Sequence, residues 1–471
     1  MLNLPRPICE ANPEWIRLYD IAWEAAFKNI EHPPGPGWLP QMSCIPGANC
    51  TWQWDSCFMA LFAKYANGEI APMNNLDNLY RFQRGDGYIS MAYRIPDGEE
   101  AFTGRVNPPL YAWVEWEYYR FTGDAGRFGR VFPILKRYFH WLKENRRRRN
   151  GLYWFEDSGS SGMDNAPRGG YPAGHLAGSD ICFVDLSSQQ ALSARCLALM
   201  AAHLGLDGEA AAFRREHVEL AELVNRHHWC SRTGFYHDVF NRGDPEARLN
   251  FLASKTAAGF WPILAGVADD GQIKRLVGHL LNPDEFNTLH PVPALSRDDP
   301  NYDPLGGYWL GGVWAPINYM VARGLRDAGE PRLARDIAQK HLAAMAAVMD
   351  DFAYGGIWES YSPESFRPAT KYGQAIVRGN SFVGWSGLGP VAMLLENILG
   401  FDFDAAANVI SWRTTDPAPH GVENLHFNGG AVSLLRRNRE ITISAERPLT
   451  LKLAPSGGVF NLAAGVHRIG I

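Results

Sequence analysis

A mainly α-helical fold is predicted by three features of the sequence. In this fold, helical hairpins form a ring and a small antiparallel β region follows. Apolar residues recur with helical spacing in about a dozen segments between residues 13 and 399. The connections between these segments alternate between short polar turns and long loops rich in glycine, proline and aromatic residues. After Gly400 the pattern changes to short runs of alternating apolar and polar residues, which are typical of strands.

The first predicted helix covers residues 13–30, where Trp15, Leu18 and Ala22 share one face. The other helices are predicted at residues 55–67, 70–83, 108–122, 126–148, 185–204, 207–228, 251–267, 270–282, 312–328, 331–350 and 379–399. Short turns join neighbouring helices into hairpins, and we expect the long connections to gather on one face as the rim of an active site. No parallel βαβ alternation is visible, which disfavours a Rossmann fold or a TIM barrel.

The β region is predicted from alternating runs separated by Gly, Pro and Asn turns, at residues 409–413, 431–435, 440–445 and 449–453. We therefore expect two domains. Residues 1–402 would form the helical domain, and residues 403–471 would form a small β-sandwich-like domain.

Composition excludes several classes of partner. The chain has 471 residues, 46% of them hydrophobic, so it can bury a large core. Its formal net charge of −5 gives no basic surface for nucleic acid. It has neither a run of 18 apolar residues nor a signal-like N terminus, so we expect no membrane partner and a cytoplasmic location. The seven cysteines lack CxxC pairs, which predicts free thiols and no thiolate metal site. We expect no cofactor, and the sequence leaves a homo-oligomer open.

Tryptophan is unusually abundant, with 16 residues. Several lie near glycines or prolines instead of on periodic faces: Trp52, Trp54, Trp154, Trp309, Trp314, Trp358 and Trp385. Pyranose rings pack their C–H faces on indoles, while their hydroxyls need polar partners. A single tryptophan usually packs in a core, but the group as a whole predicts a sugar-binding cleft.

Two loop carboxyls match the chemistry that cleaves a glycosidic bond, which needs one acid and one carboxylate. Asp164 lies in the Gly/Ser-rich run 156–168, and Glu359 lies between aromatic residues in the run 354–363. The aromatic residues expected to exclude water and keep one carboxyl protonated are Tyr153, Trp154, Trp358 and Tyr361. Taken alone, an Asp in such a Gly/Ser loop is more commonly part of an Asx turn or a helix cap than a catalytic residue.

Two further motifs precede predicted helices. In the run 51–58, Trp52, Trp54 and Asp55 would surround the sugar that is cleaved, with Asp55 accepting hydrogen bonds from two hydroxyls. Asp55 is also consistent with a helix cap. The glycines of the run 306–318 would let a loop approach a ligand, or would form only a tight helix entrance.

The adjacent His227 and His228 do not have the spacing of metal ligands on a helix, so a core or surface position is favoured.

Taken together and in chain order, five motifs resemble glycoside hydrolase family 63 and its trehalase relatives. They are the runs 53–58, 107–109 and 161–168, the pair Tyr308-Trp309 with Trp314, and the run 358–363. The resemblance is nearest to the bacterial branch of mannosylglycerate and glucosylglycerate hydrolases, and it covers roughly residues 14–400. It implies an (α/α)6 six-hairpin toroid and hydrolysis of an α-linked sugar with inversion.

The resemblance also implies roles for particular residues. Asp164 matches the general acid, and Glu359 matches the general base that activates water. The residues that match the donor-sugar pocket are Trp52, Trp54, Asp55, Asn107, Trp309 and Trp314. Further substrate contacts are expected from Arg168, Tyr308, Trp358, Tyr361 and Trp385.

The chain departs from the family pattern at three positions. Leu310 and Gly312 stand where many members have Arg and Pro, and Asn107 stands where they have Gln. Loss of a fixed cation changes what the pocket can pair with, and Arg168 is the remaining residue expected to bind an anionic group.

The leading hypothesis is an inverting, exo-acting α-glycosidase that acts on a small α-glucoside or α-mannoside in a blind-ended pocket. An α-glycosidase for another sugar, such as rhamnose or galactose, is an alternative. So is an enzyme of another class on a similar fold, a sugar epimerase or polysaccharide lyase. A catalytically inactive sugar-binding protein is disfavoured, because binding alone does not need both Asp164 and Glu359.

Overall fold

The computed structural model describes residues 2–168, 180–241, 251–371, 376, 384–414 and 416–471. The helices of these residues are α1 (Pro13–Lys28), α2 (Gln53–Ala63), α3 (Asn74–Arg81), α4 (Tyr111–Thr122), α5 (Gly126–Arg146), α6 (Val184–His203), α7 (Asp207–His227), α8 (Trp261–Ala265), α9 (Asp270–Leu281), α10 (Ala315–Asp327), α11 (Pro331–Asp350) and α12 (Gly389–Ile398). Single turns of 3₁₀-helix precede α8 and α12, and α12 itself has the wide turns of a π-helix. None of the described helices is both long and apolar enough to span a membrane.

The strands are β1 (Arg6–Cys9), β2 (Ile30–Glu31), β3 (Gln41–Met42), β4 (Cys50–Trp52), β5 (Ala92–Arg94), β6 (Ile181–Cys182), β7 (Trp229–Cys230), β8 (Phe235–Tyr236), β9 (Val239–Phe240), β10 (Phe401–Asp404), β11 (Val409–Arg413), β12 (His420–Phe427), β13 (Gly430–Arg437), β14 (Glu440–Ala445), β15 (Leu449–Ala454), β16 (Val459–Leu462) and β17 (Gly465–Gly470). The short strands β2 to β9 lie in the loops between helices. The longer strands β10 to β17 follow the helical part, so the predicted mainly α fold with a C-terminal β region is confirmed.

Local chemistry explains how the hairpins form. Gly123 adopts a left-handed φ of 74° after α4, and its N–H donates to the carbonyl of Tyr119 at 2.8 Å, which ends the helix. The chain can then turn directly into α5. At α9, the Asp269 side chain accepts from the Gln272 N–H, and the Gln272 side chain accepts from the Asp269 N–H, both at 2.8 Å. This reciprocal pair satisfies two of the N–H groups that a helix start leaves open.

Burial separates the helices into two layers. All residues of α2, α8 and α12 are buried, and so are most residues of α6 and α10. In contrast, α7 buries only one stripe, formed by Ala210, Phe213, Leu220 and Val224. The inner helices contact one another in the succession α2, α4, α6, α8 and α10, and the 3₁₀ turn before α12 contacts both α10 and α2.

This succession places the glycine-rich and aromatic loops on one end of the molecule. Because an outer helix returns the chain between consecutive inner helices, the inner helices run in the same direction. The segments that immediately precede α2, α4, α10 and α12 therefore lie at a common end. These segments contain most of the residues that the sequence predicts to bind sugar.

The opposite end of the inner helices is occupied by a buried network of charges. The Arg323 guanidinium lies 3.2 Å from Glu117 and 3.3 Å from Asp402 on β10, and Lys64 lies 3.7 Å from Glu396. Burial raises the pKa of the Glu117 carboxyl, but the cations around it, Arg323 first, outweigh burial and bring it to about 2. The network fixes the helices against the β region.

The C-terminal strands form two sheets, one with the order β1-β12-β13-β14-β17 and the other with the order β10-β11-β15-β16. The expectation of a wholly antiparallel region is wrong for one pair, because β11 and β15 run parallel. The chain passes through the other sheet between these two strands, and such a long crossover permits parallel pairing. The N-terminal strand β1 also belongs to this region, since Arg6 pairs with Glu423. The division between residues 402 and 403 falls inside β10 and stays a prediction.

Candidate active site

The acid loop, residues Glu156–Arg168, is a set of tight turns. The Ser161 hydroxyl donates to the carbonyl of Ser158 at 2.7 Å, and the Met163 N–H donates to the same carbonyl at 3.2 Å. Ion pairs with Arg146 and Arg105 hold Glu156 and Asp157 at its start. The loop is therefore fixed although it is not helical.

Asp164 is exposed at the surface of this loop, whereas Met163 and Asn165 on either side are buried. Among the described residues that follow, the next α-helix begins at Val184, and Asp164 itself lies in a turn, so Asp164 caps no helix of the described part of the chain. A carboxyl that projects from a backbone pinned on both sides has a defined direction and access to solvent.

Gly162 brings the acid loop into contact with the first aromatic residue of the site. Its φ is +78°, and a Cβ atom at this position would lie 2.6 Å from the indole carbons of Trp54. Both the backbone angle and the space require glycine here. The backbone two residues before Asp164 is thus set directly on the Trp54 ring.

We expect Gly162→Ala to displace the acid loop. The left-handed φ and the clash with Trp54 should cost about 1–3 kcal/mol of the free energy of unfolding. Misplacement of Asp164 should lower kcat/KM by on the order of 10²-fold. Denaturant unfolding and steady-state kinetics measure the two effects.

Gly159→Ala is the matched control for this prediction. Gly159 is in the same loop but has no positive φ, and an added Cβ would meet only the Asp157 carboxylate, at 3.3 Å. It should retain most of the activity. Equal losses in the two variants would show that the Trp54 contact is unimportant.

Four indoles from three parts of the chain pack into one aromatic cluster: Trp54, Trp309, Trp314 and Trp385. The rings of Trp309 and Trp314 are stacked with centroids 4.0 Å apart, and the Trp54 centroid lies 6.1 Å from Trp309 and 5.9 Å from Trp385. The structure thus brings these predicted residues together. Trp309 and Trp314 are 1% and 0% exposed, so the stacked pair is the most buried part of the cluster.

Trp52 and Trp358 have more exposed surface than the indoles of the cluster. Trp52 lies on β4 and packs against Phe102 with ring centroids 5.2 Å apart. The Trp358 indole N–H donates to the carbonyl of Gly355 at 2.7 Å. Both are therefore more accessible to a sugar than the four indoles of the cluster.

The central loop, residues 305–314, connects the cluster to both predicted catalytic segments. Tyr308 has a φ of +67°, which is costly for a bulky residue. Its N–H donates to the carbonyl of Thr370 at 2.7 Å. On the other side, the Asn165 side chain donates to the carbonyl of Gly307 at 2.9 Å and accepts from the Trp309 N–H at 2.8 Å. The loop is more than a helix entrance, because partners on both sides hold it.

The contacts of Gly312 explain why glycine stands at this position. Its N–H donates to the carbonyls of Gly306 at 2.8 Å and Tyr308 at 3.0 Å, and a Cβ would lie 2.3 Å from the Tyr308 oxygen. A proline at this position would remove the donor and meet the same oxygen. Gly312 is therefore required by the path that the loop takes in this chain.

Glu359 lies on the base segment, residues 357–370, and is 1% exposed. Its backbone carbonyl accepts from the Ser386 hydroxyl and the Trp385 indole, both at 3.4 Å. Two residues on, Tyr361 and Val313 exchange backbone hydrogen bonds of 2.9 and 3.0 Å. The base segment is thus bonded to the central loop, as the acid loop is.

Asp55 and Asn107 occupy buried positions near the starts of α2 and α4. Asp55 is the third residue of α2 and not its cap, so the capping explanation for it is set aside. The Asn107 side-chain N–H donates to the carbonyl of Ser160 in the acid loop at 3.0 Å. Its buried Oδ1 has no hydrogen-bond partner within the described part of the chain. This leaves an acceptor at the site for a hydroxyl donor.

Arg168 does not have the predicted role of binding an anionic ligand. It is 1% exposed and donates to Asp185 at 2.7 and 2.8 Å and to Asp238 at 2.6 and 2.8 Å. Burial lowers the pKa of the guanidinium, but these two carboxylates outweigh burial and raise it above its usual value. The cation is fully used inside the protein, where it ties the end of the acid loop to α6.

The prediction that Tyr153 and Trp154 exclude water from one carboxyl stays a prediction. The guanidiniums of Arg146 and Arg148 lie 4.8 and 4.3 Å from the Trp154 ring centroid, which are cation–π contacts, and Tyr153 is completely buried. His228 is a core residue, since burial lowers its pKa to about 4 and its Nδ1 contacts the carbonyl of His237.

Sequence reasoning did not identify Asn165, Thr370 or Lys371. Lys371 places its ammonium 4.1 Å from the ring centroid of Tyr308. The only sequence signal among the three was that Asn165 directly follows Asp164.

Cleavage of a glycosidic bond needs two carboxyls, and the family model that matches this chain defines the class of protein as a glycoside hydrolase. The family model "Mannosylglycerate hydrolase MGH1-like glycoside hydrolase domain" matches residues 48–374. The chain belongs to this family, within the group of glycoside hydrolase family 63 and its trehalase-like relatives.

Individual relatives are distant. The mannosylglycerate hydrolase of Thermus thermophilus is 25% identical over 366 residues, which cover 62% of this chain and 86% of that protein. The periplasmic trehalase of Xanthomonas campestris is 25% identical over 374 residues, which cover 66% and 61% of the two chains. The crystal structure of a family 63 mannosylglycerate hydrolase from Thermus thermophilus in complex with glucose superposes with a TM-score of 0.63 and 22% identity, covering 80% of this chain and 100% of that one. This likeness supports the fold.

Proposed function

We propose that the protein is an inverting, exo-acting α-glycosidase that hydrolyses a small α-glucoside or α-mannoside. Asp164 is the general acid, and Glu359 is the general base. The observation that carries this proposal is that the acid loop and the base segment are both hydrogen-bonded to the central loop beside the aromatic cluster. Two carboxyls held in this way by one rigid element can act together on one bond.

The proposed mechanism follows from the different surroundings of the exposed Asp164 and the buried Glu359. Glu359 takes a proton from a water molecule, whose oxygen attacks the anomeric carbon. Asp164 gives its proton to the leaving oxygen, so one water and one glycoside become a free sugar and an alcohol. The reaction ends with Glu359 protonated and Asp164 ionised. The exposure of Asp164 allows solvent to return its proton, while the burial of Glu359 limits the water near it.

Inversion needs room for the attacking water between the sugar and the base. In inverting enzymes the two carboxyls are about 6.5–9.5 Å apart. Because inversion reverses the configuration at the anomeric carbon, an α-glycoside gives a β-configured product.

An (α/α)6 six-hairpin toroid is the architecture that we infer for the helical part. Support comes from the succession of contacts around the inner helices, which returns to α2. The buried network of Lys64, Glu117 and Arg323 fills the far end of the ring. A pocket that enters between the loops is then closed below, which favours cleavage of a terminal sugar.

The substrate is inferred from the relatives and from the charges of the site. The relatives are a mannosylglycerate hydrolase and trehalases, whose names point to an α-mannoside and to α-linked glucose. Arg168 is unavailable to an anion because both neighbouring carboxylates use it. A small α-glucoside or α-mannoside whose aglycone does not pair with Arg168 is consistent with both observations.

The test is to incubate the protein with α- and β-linked glucosides, mannosides, galactosides and rhamnosides and to follow fresh product by proton NMR. We expect initial release of the β-anomer from an α-glucoside or α-mannoside. Initial α-anomer would contradict inversion, and turnover of only rhamnosides or galactosides would contradict the proposed sugar.

A further inference from the structure

Asn165 makes two hydrogen bonds that no other described side chain of the acid loop duplicates. Its side chain is buried, with the residue 3% exposed. Nδ2 donates to the carbonyl of Gly307, which is 142 positions away, and Oδ1 accepts from the N–H of Trp309, which is 144 positions away. The amide therefore binds the backbone on both sides of Tyr308.

Tyr308 is the residue that most needs external support in the central loop. Its φ of +67° is unfavourable for an aromatic residue, so the surrounding structure must hold this conformation. Thr370 supports the opposite side, where its hydroxyl accepts from the Gly307 N–H at 3.1 Å. Asn165 and Thr370 thus hold the same turn from two directions.

The same turn is part of the path between the two predicted catalytic residues. Asn165 directly follows Asp164, and the central loop that it binds continues to Val313. Val313 exchanges backbone hydrogen bonds with Tyr361, two residues after Glu359. A change at Asn165 would therefore alter where Asp164 stands relative to the aromatic cluster and the base segment.

We propose that Asn165 is a positioning residue, which orients the Asp164 carboxyl toward the leaving oxygen by fixing the acid loop on the central loop. This inference rests on the proposed function of Asp164. Asn165 does not touch the substrate in this account; it acts through the backbone of its neighbour.

The dependence of the rate on the leaving group separates this role from general structural support. An alcohol leaves only with a proton from the acid, whereas fluoride leaves from an α-glycosyl fluoride with little help. A misplaced acid should impair hydrolysis of an alkyl α-glycoside far more than hydrolysis of the fluoride. A damaged pocket should impair both substrates equally.

The experiment measures kcat and KM for a methyl α-glycoside and the corresponding α-glycosyl fluoride. We expect Asn165→Ala to lower kcat for the methyl glycoside by about 10²-fold, the lower range of acid catalysis, with a loss of less than about tenfold for the fluoride. KM should change little, because the sugar contacts remain.

Thr370→Val is the matched control. It removes two hydrogen bonds to the central loop, one accepted from the Gly307 N–H at 3.1 Å and one donated to the carbonyl of Leu305 at 3.3 Å, and neither involves the acid loop. Any loss of activity should be equal for the two substrates. If Asn165→Ala fails to fold by circular dichroism, Asn165→Ser replaces it, since its side chain stays polar and uncharged but is too short to bind both Gly307 and Trp309.

Equal losses for both substrates in the Asn165 variants, or no loss, would overturn the positioning role. Asp164→Asn distinguishes this outcome from failure of the proposed function. If Asp164→Asn spares the fluoride and the Asn165 variants do not, only the inference about Asn165 fails. If Asp164→Asn hydrolyses both substrates at the normal rate, the assignment of the acid itself fails.

Discussion

Asp164→Asn and Glu359→Gln should each reduce kcat by about 10²–10⁴-fold or more, because each removes one of the two proton transfers of the reaction. Asp164 is exposed, so the amide leaves no cavity, and glutamine has the size of the buried Glu359. Both variants should therefore keep the wild-type circular dichroism spectrum. The measurement is the initial rate on the α-glycoside that the wild type hydrolyses fastest.

The effects of Asp164→Asn and Glu359→Gln should also depend differently on the leaving group. Glu359→Gln should impair an α-glycosyl fluoride as severely as an alkyl glycoside, because both need an activated water. Asp164→Asn should spare the fluoride. The control is Glu364→Gln, which removes a carboxylate that binds Arg297 and Tyr302. This variant should keep normal turnover. Normal turnover by either catalytic variant would remove that residue from its assigned role.

The largest expected effect on stability comes from Arg168→Met. The substitution leaves Asp185 and Asp238 buried without their cation, which should cost about 3–5 kcal/mol of the free energy of unfolding. Arg168 holds the pKa of the Asp238 carboxyl below its usual value against the effect of burial. Without it, the carboxylates can be neutralised only by protons, so the loss should be smaller at pH 5 than at pH 8. Denaturant unfolding at the two pH values measures this.

Neutralising the partners provides the control for this second prediction. Arg168→Met combined with Asp185→Asn and Asp238→Asn removes the uncompensated charges, and part of the lost stability should return. Wild-type stability in the single variant, together with weaker binding of an anionic substrate, would restore the predicted role of Arg168 as a ligand-binding residue.

The helices were predictable where burial follows the helical period. The segment predicted at 331–350 coincides with α11, and the segment predicted at 207–228 exceeds α7 by one residue. The segment predicted at 251–267 is mostly not α-helical. Phe251 and Thr256 form isolated bridges to Val239 and Leu295, so this stretch packs in extended form against other segments of the chain. Periodicity alone cannot distinguish these two ways of burying a side chain.

The loops of the candidate site were predictable, but their contacts were not. Glycines and aromatic residues in the sequence indicated the acid loop and the central loop. Where the backbone passes close to an aromatic ring there is no room for a side chain, so glycine is needed, as at Gly162. The partner of Asn165 lies 142 positions away, and one partner of Arg168 lies 70 positions away. A single sequence carries no signal for such pairings, so an arginine beside a predicted acid was interpreted as a ligand-binding residue.

The pairing of β1 with β12 has a consequence for how the chain is made. Arg6 emerges from the ribosome more than 400 residues before its partner Glu423. At typical synthesis rates of about 5–20 residues per second, this strand waits roughly 20–80 s for the edge that it completes. During that time its backbone groups are open to other chains. Correct folding therefore requires that β1 stays free of other chains until β12 has been synthesised.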